Sequence, residues 1–106
     1  MNFKQFLDFV KKRHAILRDH YGDQLDPQKE ILVGVAKVME ESGELADEVL
    51  GQMALQRQEK LDKRQQGNLE AEFADVIITS FILAESLGID PIRALKNKIK
   101  EIEKRS

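Results

Sequence analysis

The chain has 106 residues, enough for one domain and too few for two. Charged residues make up 34% of it and the net charge is −2, so it carries no basic field of the kind that attracts nucleic acid or an anionic membrane surface. It has no cysteine, which excludes disulfides and thiolate zinc sites and fits a reducing, cytoplasmic setting. The N-terminal stretch MNFKQFLDFVKKRH lacks the unbroken apolar core of a signal peptide, and no apolar run reaches the ~18 residues of a membrane span.

Apolar spacing predicts four helices, with no clean alternation that would favour a strand. The first covers about Phe3 to Tyr21, where Phe3, Phe6, Leu7, Val10, His14, Leu17 and Tyr21 share one face. Gly22 suits the position after a helix end, and Asp26 followed by Pro27 reads as N-cap and first helical residue. The second helix runs from Pro27 to somewhere between Met53 and Arg64, with Ile31, Val35, Val38, Ser42, Leu45 and Val49 as its inward stripe. The polar tract QRQEKLDKRQQGN closes it, and Gly67 and Asn68 separate it from the third helix, about Leu69 to Leu87. Within that helix VIITSFILA, Val76 to Ala84, is apolar on nearly every side. Such a helix must be covered on more than one face, which predicts a central position and an oligomer. The fourth helix opens with Asp90 as N-cap and Pro91 in its first turn, and carries Ile92, Leu95, Ile99 and Ile102 as a stripe. The expected architecture is an all-α, four-helix bundle-type subunit.

The chemistry lies in the acids. MEESGELADEVL holds five acidic residues in twelve. On a helix Glu40 and Glu44 lie about 40° apart and Glu41 and Glu44 about 60° apart, so three like charges crowd one quadrant beside the apolar stripe. That costs a few tenths of a kcal/mol per pair when exposed, roughly, and more where the dielectric falls. In LEAEFADVIITSF, Glu72 and Asp75 stand three residues apart, with Asp75 at the mouth of the apolar run. A carboxylate there needs a partner or a proton. If the two clusters face each other, a hard divalent cation such as magnesium resolves the repulsion, because it takes oxygen ligands. A di-iron centre is disfavoured, since no histidine follows either cluster. No glycine-rich phosphate loop is present.

EESGELADEVL, then LEAEFADVIITSFILAESLGID, then the basic ALKNKIKEIEKR, resemble the MazG-like all-α nucleoside triphosphate pyrophosphohydrolases, which are marked by EExxE followed after a variable gap by ExxD. The resemblance covers roughly Lys37 to Arg105 and implies a single MazG-like domain over residues 1–106. It implies hydrolysis of nucleoside or deoxynucleoside triphosphates to the monophosphate and pyrophosphate, in nucleotide-pool house-cleaning, with Mg2+ as cofactor and Mn2+ as a substitute. It also implies a homo-dimer or homo-tetramer. Carried over residue by residue, Glu41, Glu44, Glu72 and Asp75 match metal ligands, and Glu40 and Glu41 are candidates for holding the attacking water. Lys37 and Lys98 match basic positions near the phosphates. His14 lies on a helix that contacts the base in some relatives, and Thr79 stands one turn beyond Asp75. Many relatives have Asn in the last helix where this chain has Ile102. The rival readings are phosphoribosyl-ATP hydrolysis and a non-catalytic helical dimerisation or binding module; intact acids at all five motif positions speak against the module.

Overall fold

The computed structural model describes residues 1–22, 26–53 and 68–105. These form four helices, α1 (Phe3–Tyr21), α2 (Pro27–Gln52), α3 (Asn68–Leu87) and α4 (Pro91–Arg105), with no strand among the described residues. The polar tract expected to close the second helix lies outside them.

Each boundary has a local cause. Asn2 and Gln5 form a reciprocal capping box at the start of α1, both bonds being 2.9 Å. The α1 backbone stops at Gly22 with φ +56°, a value that costs a residue with a Cβ far more than glycine. Asp26 caps α2 by accepting from the Lys29 N–H, with Pro27 behind it in the first turn. Gly88, at φ +69°, ends α3. Asp90 then accepts from the N–H groups of Ile92 and Arg93 to start α4.

The apolar helix α3 is the centre, packed against both α1 and α2. On the α1 side Phe6 meets Phe81 edge-on with ring centroids 4.9 Å apart, and Val10 is the one described hydrophobic residue that is fully buried. On the α2 side the helices run antiparallel. Glu30 of α2 bonds Ser86 of α3, Gly34 stands against Leu83, and Glu41 gathers with Glu72 and Asp75. A Cβ at Gly34 would lie 2.9 Å from the Leu83 side chain, so the absence of a side chain there permits the close approach.

The inward face of α2 differs from the expected stripe. Val35 is 40% exposed, Val49 37% exposed, and Ser42 lies outside, while Glu41 is half-buried and Glu48 is buried. The contact of Gly34 with Leu83 sets the rotation of α2. That rotation turns the acidic line Glu41–Glu48 toward α3 and some of the valines away from it. The last helix also departs from the simple picture. It touches the other three only lightly, and its stripe residues Leu95, Ile99 and Ile102 are all about half-exposed.

Candidate functional site

Two helix faces form the walls of a cavity of about 410 Å3, and α1 forms its roof. On α2 the lining residues Glu30, Gly34, Lys37 and Glu41 recur at i, i+4, i+7 and i+11. On α3 they are Asp75, Thr79, Ile82 and Ser86, the same spacing. Both are single faces of a 3.6-residue helix. Because the helices are antiparallel, the carboxylates of Glu41 and Asp75 share one end and Glu30 and Ser86 the other. From α1 come His14, Phe9 and Leu17, with Arg13, Arg18 and Tyr21.

At the first end, carboxylate oxygens of Glu41, Glu72 and Asp75 all lie within 4.8 Å of one another. Burial raises the Glu41 pKa above its ordinary 4.5, and the charges of Glu44, Asp75 and Glu40, with a shared hydrogen bond to Glu44, raise it further. The same holds for Glu72, where burial comes first, then Glu44 by charge and by hydrogen bond, then Asp75 and Glu48. One oxygen of each residue, Glu41 Oε2 and Glu72 Oε2, is shut off from solvent with no hydrogen-bond partner. A buried carboxylate oxygen without a donor is costly. All-oxygen donors, like charge and two orphaned oxygens fit a hard divalent cation of the magnesium type, and no soft or nitrogen ligand is present to favour another metal.

Of the four predicted ligands, Glu41, Glu72 and Asp75 supply this closest set. Glu44 is more exposed, and its charge helps to raise the pKa of both Glu41 on its own helix and Glu72 on α3. Glu40 points away into solvent and pairs with Lys37 at 3.5 Å. Lys37 also lines the cavity. Lys98 stands on α4, outside the cavity walls, in a 2.9 Å pair with Glu101. The Thr79 hydroxyl lines the cavity but donates to the Asp75 carbonyl at 2.8 Å, as helical threonines do. Ile102 is 52% exposed on α4.

At the far end, His14 lies against Glu30 Oε1, which also accepts from Ser86 Oγ at 2.9 Å. An ionised carboxylate only accepts, so His14 Nε2 is the donor and carries the proton. Arg18 Nε lies 3.6 Å from Glu30 Oε2. Burial works to raise the Glu30 pKa, but the hydrogen bonds from His14 and Ser86 and the charges of His14 and Arg18 outweigh it, so the group sits below its usual value.

Glu30, Ser86 and Glu48 were not singled out from the sequence. Glu48 had a signal, since 41, 44 and 48 share one helix face, but the EExxE pattern stops at Glu44. For Glu30 the signal was a lone acid at the start of an apolar run, opposite a histidine set mid-stripe on the preceding helix.

The fold and this site together define an all-α protein whose central antiparallel helices hold a carboxylate cluster suited to a cation. The profile of the MazG-like family matches residues 35–106, and the chain belongs to that family. Members are commonly pyrophosphohydrolases of the nucleoside triphosphate type and in general depend on a metal. No curated protein and no solved structure matches the chain significantly. No helix among the described residues is long and apolar enough to cross a membrane.

Proposed function

We propose that this chain hydrolyses nucleoside or deoxynucleoside triphosphates, with magnesium, to the monophosphate and pyrophosphate, as a house-cleaning enzyme of the nucleotide pool. The observation that carries the reading is the carboxylate cluster with its two orphaned buried oxygens, set at one end of a cavity within the few-hundred-Å3 range of small-molecule sites.

A triphosphate is itself polyanionic, so it cannot approach Glu41, Glu44, Glu72 and Asp75 without counter-charge. Magnesium held there would supply that charge and polarise the phosphoryl group under attack. The chain's own groups do the rest. Glu41 and Glu72 aim their unpartnered oxygens inward, and Asp75 closes the set. Glu44 lies close enough to both glutamates for its charge to act on them. Glu41 orients the attacking water and accepts its proton, while Glu40 faces solvent beside Lys37; the new bond joins the water oxygen to a phosphorus of the α–β bridge, and the bridging oxygen leaves with the other fragment, giving the monophosphate and pyrophosphate. Membership of the MazG-like family supports the choice of the α–β bond. Lys37, on the wall between the two ends, is a cation available to the phosphates once it leaves Glu40. Positioning and charge stabilisation of this kind supply most of what phosphoryl transfer requires.

The active form in this reading is a homo-oligomer. Leu95, Ile99 and Ile102 on α4 and Leu32, Val35 and Met39 on α2 leave apolar surface exposed on the subunit. A second copy of the chain covers such faces without any new kind of surface. Sedimentation at low micromolar concentration should show a dimer or larger; a compact monomer would refute the oligomer.

The activity is tested by measuring pyrophosphate release from a panel of canonical and damaged nucleoside triphosphates and from phosphoribosyl-ATP. Turnover with magnesium and none with chelator is expected for at least one nucleoside triphosphate. Turnover of phosphoribosyl-ATP alone would replace this reading with its rival, and no turnover of any would leave a non-catalytic module.

A further inference from the structure

The acidic end explains where a triphosphate's charge goes, but not why the other end of the same cavity holds a second carboxylate. Glu30 is 15% exposed, and two donors, His14 Nε2 and Ser86 Oγ, converge on the same oxygen. The other oxygen, Oε2, has Arg18 at 3.6 Å, beyond hydrogen-bond length, on a side chain that is itself 63% exposed. Glu30 therefore keeps accepting capacity at the cavity wall, and its orientation is fixed from two other helices.

We infer that Glu30 is a specificity-determining residue that accepts a hydrogen bond from the exocyclic amino group of the substrate's base, so that the cavity takes amino-bearing bases in preference to their keto counterparts. This rests on the proposed nucleotide activity. Glu30 and Glu41 stand eleven residues apart on one face of α2, about 16 Å along the axis, the scale of an extended nucleotide. With phosphates at the acidic end, the base reaches the Glu30 end. Phe9, Leu17 and Ile82 line the same cavity and give apolar surface for a base plane to pack against.

The chemistry then selects. An ionised carboxylate accepts and cannot donate. It pairs with the amino group of cytosine or adenine and opposes the carbonyl oxygen that uracil or hypoxanthine presents in the same place. Hydrogen bonds holding Glu30 below its ordinary pKa keep it ionised at neutral pH, so the opposition persists under working conditions. A site whose buried acceptor is left unpaired by the wrong base discriminates more strongly than an apolar pocket does. The His14–Glu30–Ser86 set is legible as a purely structural tie between α1, α2 and α3, and the experiment separates the two.

The test compares matched pairs differing only in that group, dCTP with dUTP and dATP with dITP, by kcat/KM. Affinity for the corresponding monophosphates, measured by titration calorimetry in chelator, gives a second readout that needs no turnover. The unmodified protein should favour the amino member of each pair by about tenfold or more in both readouts. Glu30→Gln, whose amide both donates and accepts, should bring the ratio near one. Equal use of both members by the unmodified protein overturns the inference and needs no variant that folds. So does a Glu30→Gln variant that keeps the unmodified protein's ratio and slows both members by the same factor, whatever its melting temperature, the signature of a structural tie. Failure to hydrolyse any triphosphate sinks the nucleotide reading itself, and this one with it. Hydrolysis without base discrimination sinks this one alone.

Discussion

The two ends of the cavity hold the same kind of group in opposite conditions. At one end Glu30 has donors on it, a guanidinium beside it, and a pKa held down. At the other, Glu41 and Glu72 face burial and further carboxylates, have oxygens with no donor, and carry pKa values pushed up. A protein that can satisfy one buried glutamate with a histidine and a serine has the means to satisfy another. That it leaves a cluster unsatisfied ten or so residues along the same helix face makes this cluster the candidate for a cation from outside. Local balance identifies structure or recognition; local imbalance identifies a place for external charge.

Breaking the unbalanced end should have the largest consequence. Glu44→Gln or Asp75→Asn is expected to cut pyrophosphate release at least ~100-fold, the scale for losing a group that positions transition-state charge. The same substitutions remove a negative charge from a crowded set, so in chelator each variant should melt no lower than the parent. A structural role predicts the reverse pattern, lower melting in chelator and activity in proportion to the folded fraction. Glu30→Gln should instead lower the melting temperature in chelator, since it strips charge from a satisfied pair.

Next in size is the metal itself. At about 100 times the dissociation constant, a ligand bound only by the folded state adds ~2.7 kcal/mol, or roughly 10 °C in melting temperature for a domain of this size. Magnesium should give that gain to the parent and much less of it to Glu44→Gln and Asp75→Asn. Scanning calorimetry with magnesium or chelator reads it directly, and identical curves for parent and variants would dissociate the acidic cluster from any cation.

pH sharpens the comparison because the two ends respond with opposite sign. Glu41 and Glu72 have folded pKa values above 4.5, so the folded state binds their protons more tightly than the unfolded chain does. Their penalty is present above the folded pKa and is relieved as pH falls toward 4.5. Glu30 lies below 4.5 in the fold, so its contribution is present above that value and is lost as pH falls through the folded pKa. In chelator these two contributions should therefore raise the melting temperature on acidification from neutrality toward pH 4.5, and lower it below that. With magnesium the first trend should invert, since protons then compete with the cation for Glu41 and Glu72. A metal-free melting temperature that falls steadily from neutrality would show that the cluster is not under strain.

How far the sequence reached can be judged at particular residues. Capping by Asp26 and Asp90 and the stops at Gly22 and Gly88 were legible because they depend on one or two neighbours and on backbone geometry. The acidic clusters were legible because a 3.6-residue period places Glu41 near Glu44, and Glu72 near Asp75, whatever the rest of the chain does. The rotation of α2 was not legible. It depends on Gly34 meeting Leu83, a contact between residues 49 apart, and it turns Val35 outward and Glu48 inward against hydropathy. Nor was the role of Glu30, whose partners come from two other helices. Hydropathy patterns assume that apolar faces look at the chain's own core. That assumption fails on α2, where Glu41 and Glu48 turn inward while Leu32, Val35 and Met39 stay exposed, and on α4, where Leu95, Ile99 and Ile102 do.

The smallest expected effect is also the cleanest control. Gly43 stands mid-helix between Glu41 and Glu44, and a Cβ built on it meets nothing within 4 Å. Glycine in a helix interior costs about 0.5–1 kcal/mol relative to alanine, through the backbone freedom it loses on folding. Gly43→Ala adds no charge and displaces no neighbour within the chain, so it should stabilise the protein by that amount, a few degrees in melting temperature. The magnesium-induced gain should be unchanged, because the carboxylates keep their places. The substitution thus changes the stability of the acidic segment without touching its imbalance, which the charge-removing variants cannot do. A melting temperature that drops instead, with the drop diminishing on dilution, would place Gly43 against a second copy of the chain and would show that this turn of α2 belongs to the interface. A rise accompanied by loss of the magnesium response would mean that the cluster binds its cation only through flexibility of this turn, and the arrangement of Glu41, Glu72 and Asp75 seen here would not be the cation-binding one.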